Sequence, residues 1–115
     1  MAGSNKPLVW AVFAAGGTLA AFVLPAIIFS LTLGVALGWM PLEALSYERA
    51  VAGVQSPLAK LAAFAVIVLI LWHAAHRLRI TAHDLGVYAD GLVMRICYGI
   101  AALGTIVTLV ALLGL

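Results

Sequence analysis

Apolar residues occupy this chain in three long blocks, with the polar residues gathered between them. No charged side chain falls within residues 7–40. The run from Leu58 to Trp72 is broken only by Lys60, and Ile96 to Leu115 carries no charge. A helix needs about 20 apolar residues to cross a hydrocarbon core about 30 Å thick. The first and third blocks have that length, and the second reaches it where its helix pattern continues to Leu85. The first is too long for the apolar region of a cleaved signal peptide. The pattern predicts an all-α membrane protein with three transmembrane helices, near residues 8–38, 57–85 and 92–114. Residues 1–115 then form a single domain.

Local signals fix the ends. Ser56-Pro57 is a helix start, with Ser56 as cap and Pro57 in the first turn. Gly86 is a natural terminator for that helix. Residues 57–85 as a helix would be about 43 Å long, so its end should project into the headgroups or beyond. Pro25 is a candidate kink in the first span, and Gly16, Gly17, Gly34 and Gly38 allow close helix approach. Pro41 to Arg49 is a polar connection with room for a short interfacial helix, and Tyr88-Ala89-Asp90-Gly91 reads as a turn. With three spans, Lys6, Arg77, Arg79 and Arg95 lie on one side, and Arg49 and Lys60 on the other. The positive-inside bias then predicts a cytoplasmic N-terminus and second loop.

Composition agrees with the pattern. Hydrophobic residues make up 66% and charged residues 9% of the 115, against about 25% charge in a soluble domain. So few polar groups do not make a self-sufficient enzyme. The net charge of +2 gives no basis for nucleic-acid binding. Cys97 is the single cysteine, so the chain cannot hold an iron–sulfur cluster on its own thiolates, and packing is the expected role of Cys97. Neither a G-x-G-x-x-G fingerprint nor a G-x-x-x-x-G-K-[ST] loop is present, which argues against nucleotide chemistry on this chain. No metal site and no catalytic residue are expected.

The chemistry is concentrated between Leu71 and Leu85. With His73 set at zero on a helical wheel, Asp84 falls near 20°, Arg77 near 40°, His76 near 300° and His83 near 280°, all roughly. Three histidines, an arginine and a carboxylate thus share an arc of about 120°. If the chain crosses and returns, Trp10 and Phe13 lie at the depth of His73, His76 and Arg77. An indole N–H, an imidazole and a guanidinium could then converge between aromatic walls. Such a pocket suits a flat ring bearing oxygens, and a quinone fits. The simpler readings are that Arg77 and Arg79 anchor a helix end, that Trp10, Trp39 and Trp72 form an interfacial belt, and that His73 packs or makes a neutral hydrogen bond. Anchoring suffices for Arg79. His83 and Asp84 read as a solvated, partner-facing or proton-exchanging pair, and His73 is a further candidate for a partner-facing or proton-exchange role. Adjacent ionisable groups at a membrane boundary, His76 and Arg77, favour function.

These residues carry a family likeness. Val9-Trp10-Ala11-Val12-Phe13-Ala14-Ala15-Gly16-Gly17, Leu45-Ser46-Tyr47-Glu48-Arg49, Leu71-Trp72 with His76-Arg77, and His83-Asp84-Leu85 follow one another in the order and spacing of the D-type membrane-anchor subunits of bacterial quinol:fumarate reductases, which the chain resembles from Leu8 onward. The resemblance implies a non-catalytic, multi-pass membrane anchor in a bacterial inner membrane. It implies pairing with a second, C-type anchor subunit, docking of an iron–sulfur subunit and a flavoprotein subunit, and a menaquinol site shared with the C-type anchor. Flavin and iron–sulfur clusters would reside on partner subunits only, and no haem is expected. Trp10, Phe13, His76 and Arg77 are the implied quinol-binding residues. The chain departs from the family pattern between Arg77 and His83, which is often richer in histidine, and His73 has no counterpart in it.

Two rivals bound this reading. A haem b anchor of a succinate dehydrogenase-type complex would use these histidines, but all three lie on one segment, which supplies at most one axial ligand comfortably. A small transporter would need an ionisable residue deep in a span, and the first span has none.

Overall fold

The computed structural model describes residues 3–115. Three helices are long and apolar enough to cross a membrane: α1, Lys6–Ala36, α3, Pro57–Asp84, and α4, Asp90–Leu113. A short helix α2, Tyr47–Gly53, lies in the first connection after a 3₁₀ turn at Leu42–Leu45. All regular structure among the described residues is helical. The chain is a multi-pass membrane protein.

The ends form for local reasons. Ser56 Oγ accepts from the Ala59 N–H at 3.1 Å, and Pro57 occupies the first turn of α3. Ser46 Oγ caps α2 in the same way, accepting from the Arg49 N–H at 3.3 Å. Two glycines close helices with φ in the left-handed region, Gly38 at +75° and Gly86 at +89°. Each carries paired Schellman bonds. At Gly86 they run from its own N–H to the His83 carbonyl and from the Val87 N–H to the Ala82 carbonyl. α1 is not regular throughout. Pro25 lies inside it, and a π turn at Phe29–Leu33 follows. Asp90 begins α4 rather than sitting in the turn expected at residues 88–91, because its carboxylate suits a helix N-terminus and is held by Arg79.

α3 packs against α1 on one side and α4 on the other, while α1 and α4 barely meet. Small residues make both seams. Gly16 and Ala75 are buried, and Ala101 is only 1% exposed. A methyl group placed on Gly104 would lie 2.6 Å from Leu71 Cδ2, so α4 approaches α3 closely there. The large apolar residues, from Leu8 and Phe22 to Leu103 and Val110, face outward. Lipid or protein must cover them. Threonine hydroxyls bond back to helix carbonyls, Thr18 to Ala14, Thr32 to Ile28, Thr105 to Ala101 and Thr108 to Gly104. Their O–H donors are thereby satisfied inside apolar spans.

Candidate functional site

Because α1 and α4 diverge while each packs on α3, a groove opens above α3 at one end of the bundle. Its volume is about 1080 Å³. The start of α1 forms one wall, through Asn5, Lys6, Trp10 and Phe13. Leu69, Trp72, His73 and His76 of α3 form the floor, and Tyr98 of α4 closes the other side. The lining is mostly apolar with a few convergent polar groups, the usual composition of a small-molecule site.

The rings form a continuous aromatic cluster. Trp10 and Phe13 have centroids 5.3 Å apart. Phe13 stacks on His73 at 4.3 Å and meets His76 edge-on at 4.9 Å. Trp72 stacks on Tyr98 at 5.8 Å, and its indole N–H donates to Thr105 Oγ1 at 3.0 Å, which ties α3 to α4. Trp10 is 66% exposed, so it stands at the groove mouth.

The two histidines are held differently. His73 Nδ1 lies 3.0 Å from the Phe13 carbonyl oxygen. A carbonyl only accepts, so Nδ1–H donates and Nε2 is left as the acceptor of the neutral ring. Gly17 makes room for this imidazole: a Cβ there would lie 2.7 Å from His73 Cε1. His76 Nδ1 instead lies 2.7 Å from the Tyr98 hydroxyl. Arg79 reaches the same hydroxyl with Nη1 at 3.4 Å. Arg79 is itself fixed by Asp90, with Nε donating to Oδ1 at 2.8 Å and Nη2 to Oδ2 at 2.6 Å. This bidentate pair joins the end of α3 to the start of α4.

Trp10, Phe13, His73 and His76 meet as the crossing-and-returning topology predicts. Arg77 does not join them. It is exposed, lies outside the groove lining, and makes no hydrogen bond or ion pair among the described residues. One residue on from His76, a helix turns about 100°, which carries Arg77 to the next face. His83 and Asp84 are exposed at the end of α3, where His83 meets Tyr88 edge-on at 5.3 Å. Arg79 is not simply a headgroup anchor, since Asp90 and Tyr98 hold it. Trp72 belongs to the groove rather than to an interfacial belt alone. Sequence reasoning missed Tyr98, although a depth argument finds it. His76 lies eight residues before the end of α3 and Tyr98 eight residues after the start of α4, so antiparallel helices place them level. Three or more His, Cys, Asp or Glu side chains do not gather into a metal site among the described residues.

The family model of the fumarate reductase D subunit matches residues 1–113. Among curated relatives, a fumarate reductase D subunit of Vibrio vulnificus is 40% identical over 101 residues, covering 87% of this chain and 80% of that protein. One from Mycobacterium bovis is 37% identical over 105 residues, covering 89% and 82%. One from Photobacterium profundum is 41% identical over 101 residues, covering 87% and 83%.

Proposed function

The chain belongs to the family of fumarate reductase D subunits, and from that premise we propose that it anchors the complex in the bacterial inner membrane and forms one side of its quinol oxidation site. The observation that carries the proposal is the convergence of Trp10, Phe13, His73, His76 and Tyr98 from three helices into one apolar groove. Its volume accommodates a bicyclic quinol headgroup, with the isoprenoid tail left in lipid.

In this reading the headgroup lies against the Phe13 and Trp72 rings. The Trp10 indole N–H and the imidazoles meet its oxygens. Oxidation to the quinone releases two protons and two electrons. The electrons leave to an iron–sulfur subunit and then to a flavoprotein subunit, where fumarate is reduced. The clusters belong to the iron–sulfur partner, since the single Cys97 here cannot bind one alone, and the flavin belongs to the flavoprotein partner. A second membrane anchor, the C-type subunit, covers the open side of the groove and the outward apolar faces. Menaquinol is the expected substrate. Arg77 remains in the proposal as a rim charge, placed next to His76 and free to meet the partner or the ligand from outside the groove. The N-terminus and the groove face the cytoplasm, following the basic residues.

The test uses the four-subunit complex in membranes. Trp10→Ala and His76→Gln should each lower naphthoquinol-driven fumarate reduction at least tenfold. Reduction driven by a soluble dye should continue, because it bypasses the anchor. Wild-type quinol turnover in both variants would refute the assignment.

A further inference from the structure

Tyr98, Arg79 and Asp90 form a chain of hydrogen bonds that ends on His76, and nothing in the quinol reading above uses it. We propose that this chain is a positioning device: Asp90 holds Arg79, Arg79 directs the Tyr98 hydroxyl, and Tyr98 fixes the tautomer of His76. The inference rests on the groove being the quinol site.

Every donor in this hydrogen-bond chain, from Arg79 to His76, can be satisfied within the protein. A guanidinium only donates, so Arg79 Nη1–H occupies a lone pair of the Tyr98 oxygen. The Tyr98 O–H then needs an acceptor, and the one it has among the described residues is His76 Nδ1 at 2.7 Å. A ring nitrogen that accepts carries no proton. Neutral His76 is therefore the Nε2–H tautomer, the opposite of His73, whose Nδ1–H is committed to the Phe13 carbonyl. The groove thus holds two imidazoles of opposite character. His76 offers Nε2–H as a donor to a ligand oxygen, and His73 keeps Nε2 as an acceptor. A quinol hydroxyl is both donor and acceptor, so this pair can hold one oxygen with both roles satisfied.

The bidentate geometry gives the chain its direction. With both carboxylate oxygens of Asp90 engaged, the guanidinium plane is set, and only Nη1 is left toward Tyr98. The His76 and Tyr98 rings are parallel within 1°, with their centroids 6.4 Å apart, and the hydroxyl lies 2.7 Å from Nδ1.

Tyr98→Phe removes the hydroxyl and keeps the ring against Trp72. In the assembled complex, kcat with a naphthoquinol should fall about five- to tenfold, the effect of losing one aligned hydrogen bond, with KM changing less. Asp90→Asn should lower kcat in the same direction, and Asp90→Glu should restore it. Solid-state NMR of the wild-type complex carrying ¹⁵N-histidine, assigned by difference with His76→Gln, should show His76 with a bare Nδ1 and a protonated Nε2. A merely structural Tyr98 would not set that signature. A protonated Nδ1 on neutral wild-type His76 overturns the proposal whether or not the variants assemble. Undiminished kcat in Tyr98→Phe, while Trp10→Ala and His76→Gln abolish turnover, overturns it and leaves the quinol site standing. Wild-type turnover in all of these variants removes the site itself, and the positioning role with it.

Discussion

Gly16 and Gly17 are neighbours, yet a methyl group at each should have different consequences. At Gly16 the new Cβ would overlap the Leu69 carbonyl oxygen, and it would lie 2.8 Å from His73 Cβ and 3.0 Å from the Leu69 carbonyl carbon. These atoms belong to the α3 backbone or are fixed to it, so no rotamer change relieves the overlap. To reach ordinary contact distances, α1 and α3 must separate by about 1 Å. That stretches the 3.0 Å bond between His73 Nδ1 and the Phe13 carbonyl beyond useful length. Overpacking costs about 1–3 kcal/mol and the lost hydrogen bond about 1 kcal/mol more. The sum, about 2–4 kcal/mol, corresponds to roughly a 30-fold or greater loss of the paired helices. At Gly17 a Cβ would meet only the His73 imidazole, nearest at 2.7 Å, and a ring can swing away. Gly16→Ala should therefore lower the yield and thermal stability of the complex extracted from membranes. Gly17→Ala should assemble normally and lose quinol turnover. Gly99→Ala, with open space around it, should change neither. A Gly16→Ala complex that assembles and melts like wild type would refute the packing argument.

Other changes follow from single contacts. Thr105→Val leaves the Trp72 indole N–H without its acceptor in an apolar setting. It should lower complex stability in thermal unfolding by about 1–3 kcal/mol, more than Trp72→Phe does. Gly86→Ala forces a left-handed backbone on a residue with Cβ and should cost about 1–2 kcal/mol, read as faster hydrogen exchange at the end of α3. Arg77→Leu should reduce quinol turnover less than His76→Gln, because Arg77 lies outside the groove; an equal loss would mean that it reaches the ligand directly. The reduced complex should show no haem Soret band, and a band abolished by His73→Ala would assign an axial ligand here.

The hydrophobic pattern determined the architecture on its own. Apolar runs of this length, without strand-like alternation, leave the backbone no partner but itself in lipid and so form helices, and Ser56, Pro57 and Gly86 mark the ends of the second. The meeting of Trp10 and Phe13 with His73 and His76 was also legible, because a chain that crosses and returns brings those positions to one level. What the sequence did not determine was direction around each helix axis. Arg77 follows His76 directly and shares its arc with His73, yet only rotation set by the small-residue seams at Gly16, Ala75 and Ala101 decides which side chains enter the groove. Tyr98 and the Arg79–Asp90 pair escaped for a related reason. They join different helices, and a contact across a seam depends on how closely two backbones approach, a distance that depends on packing and leaves no periodic trace in either helix.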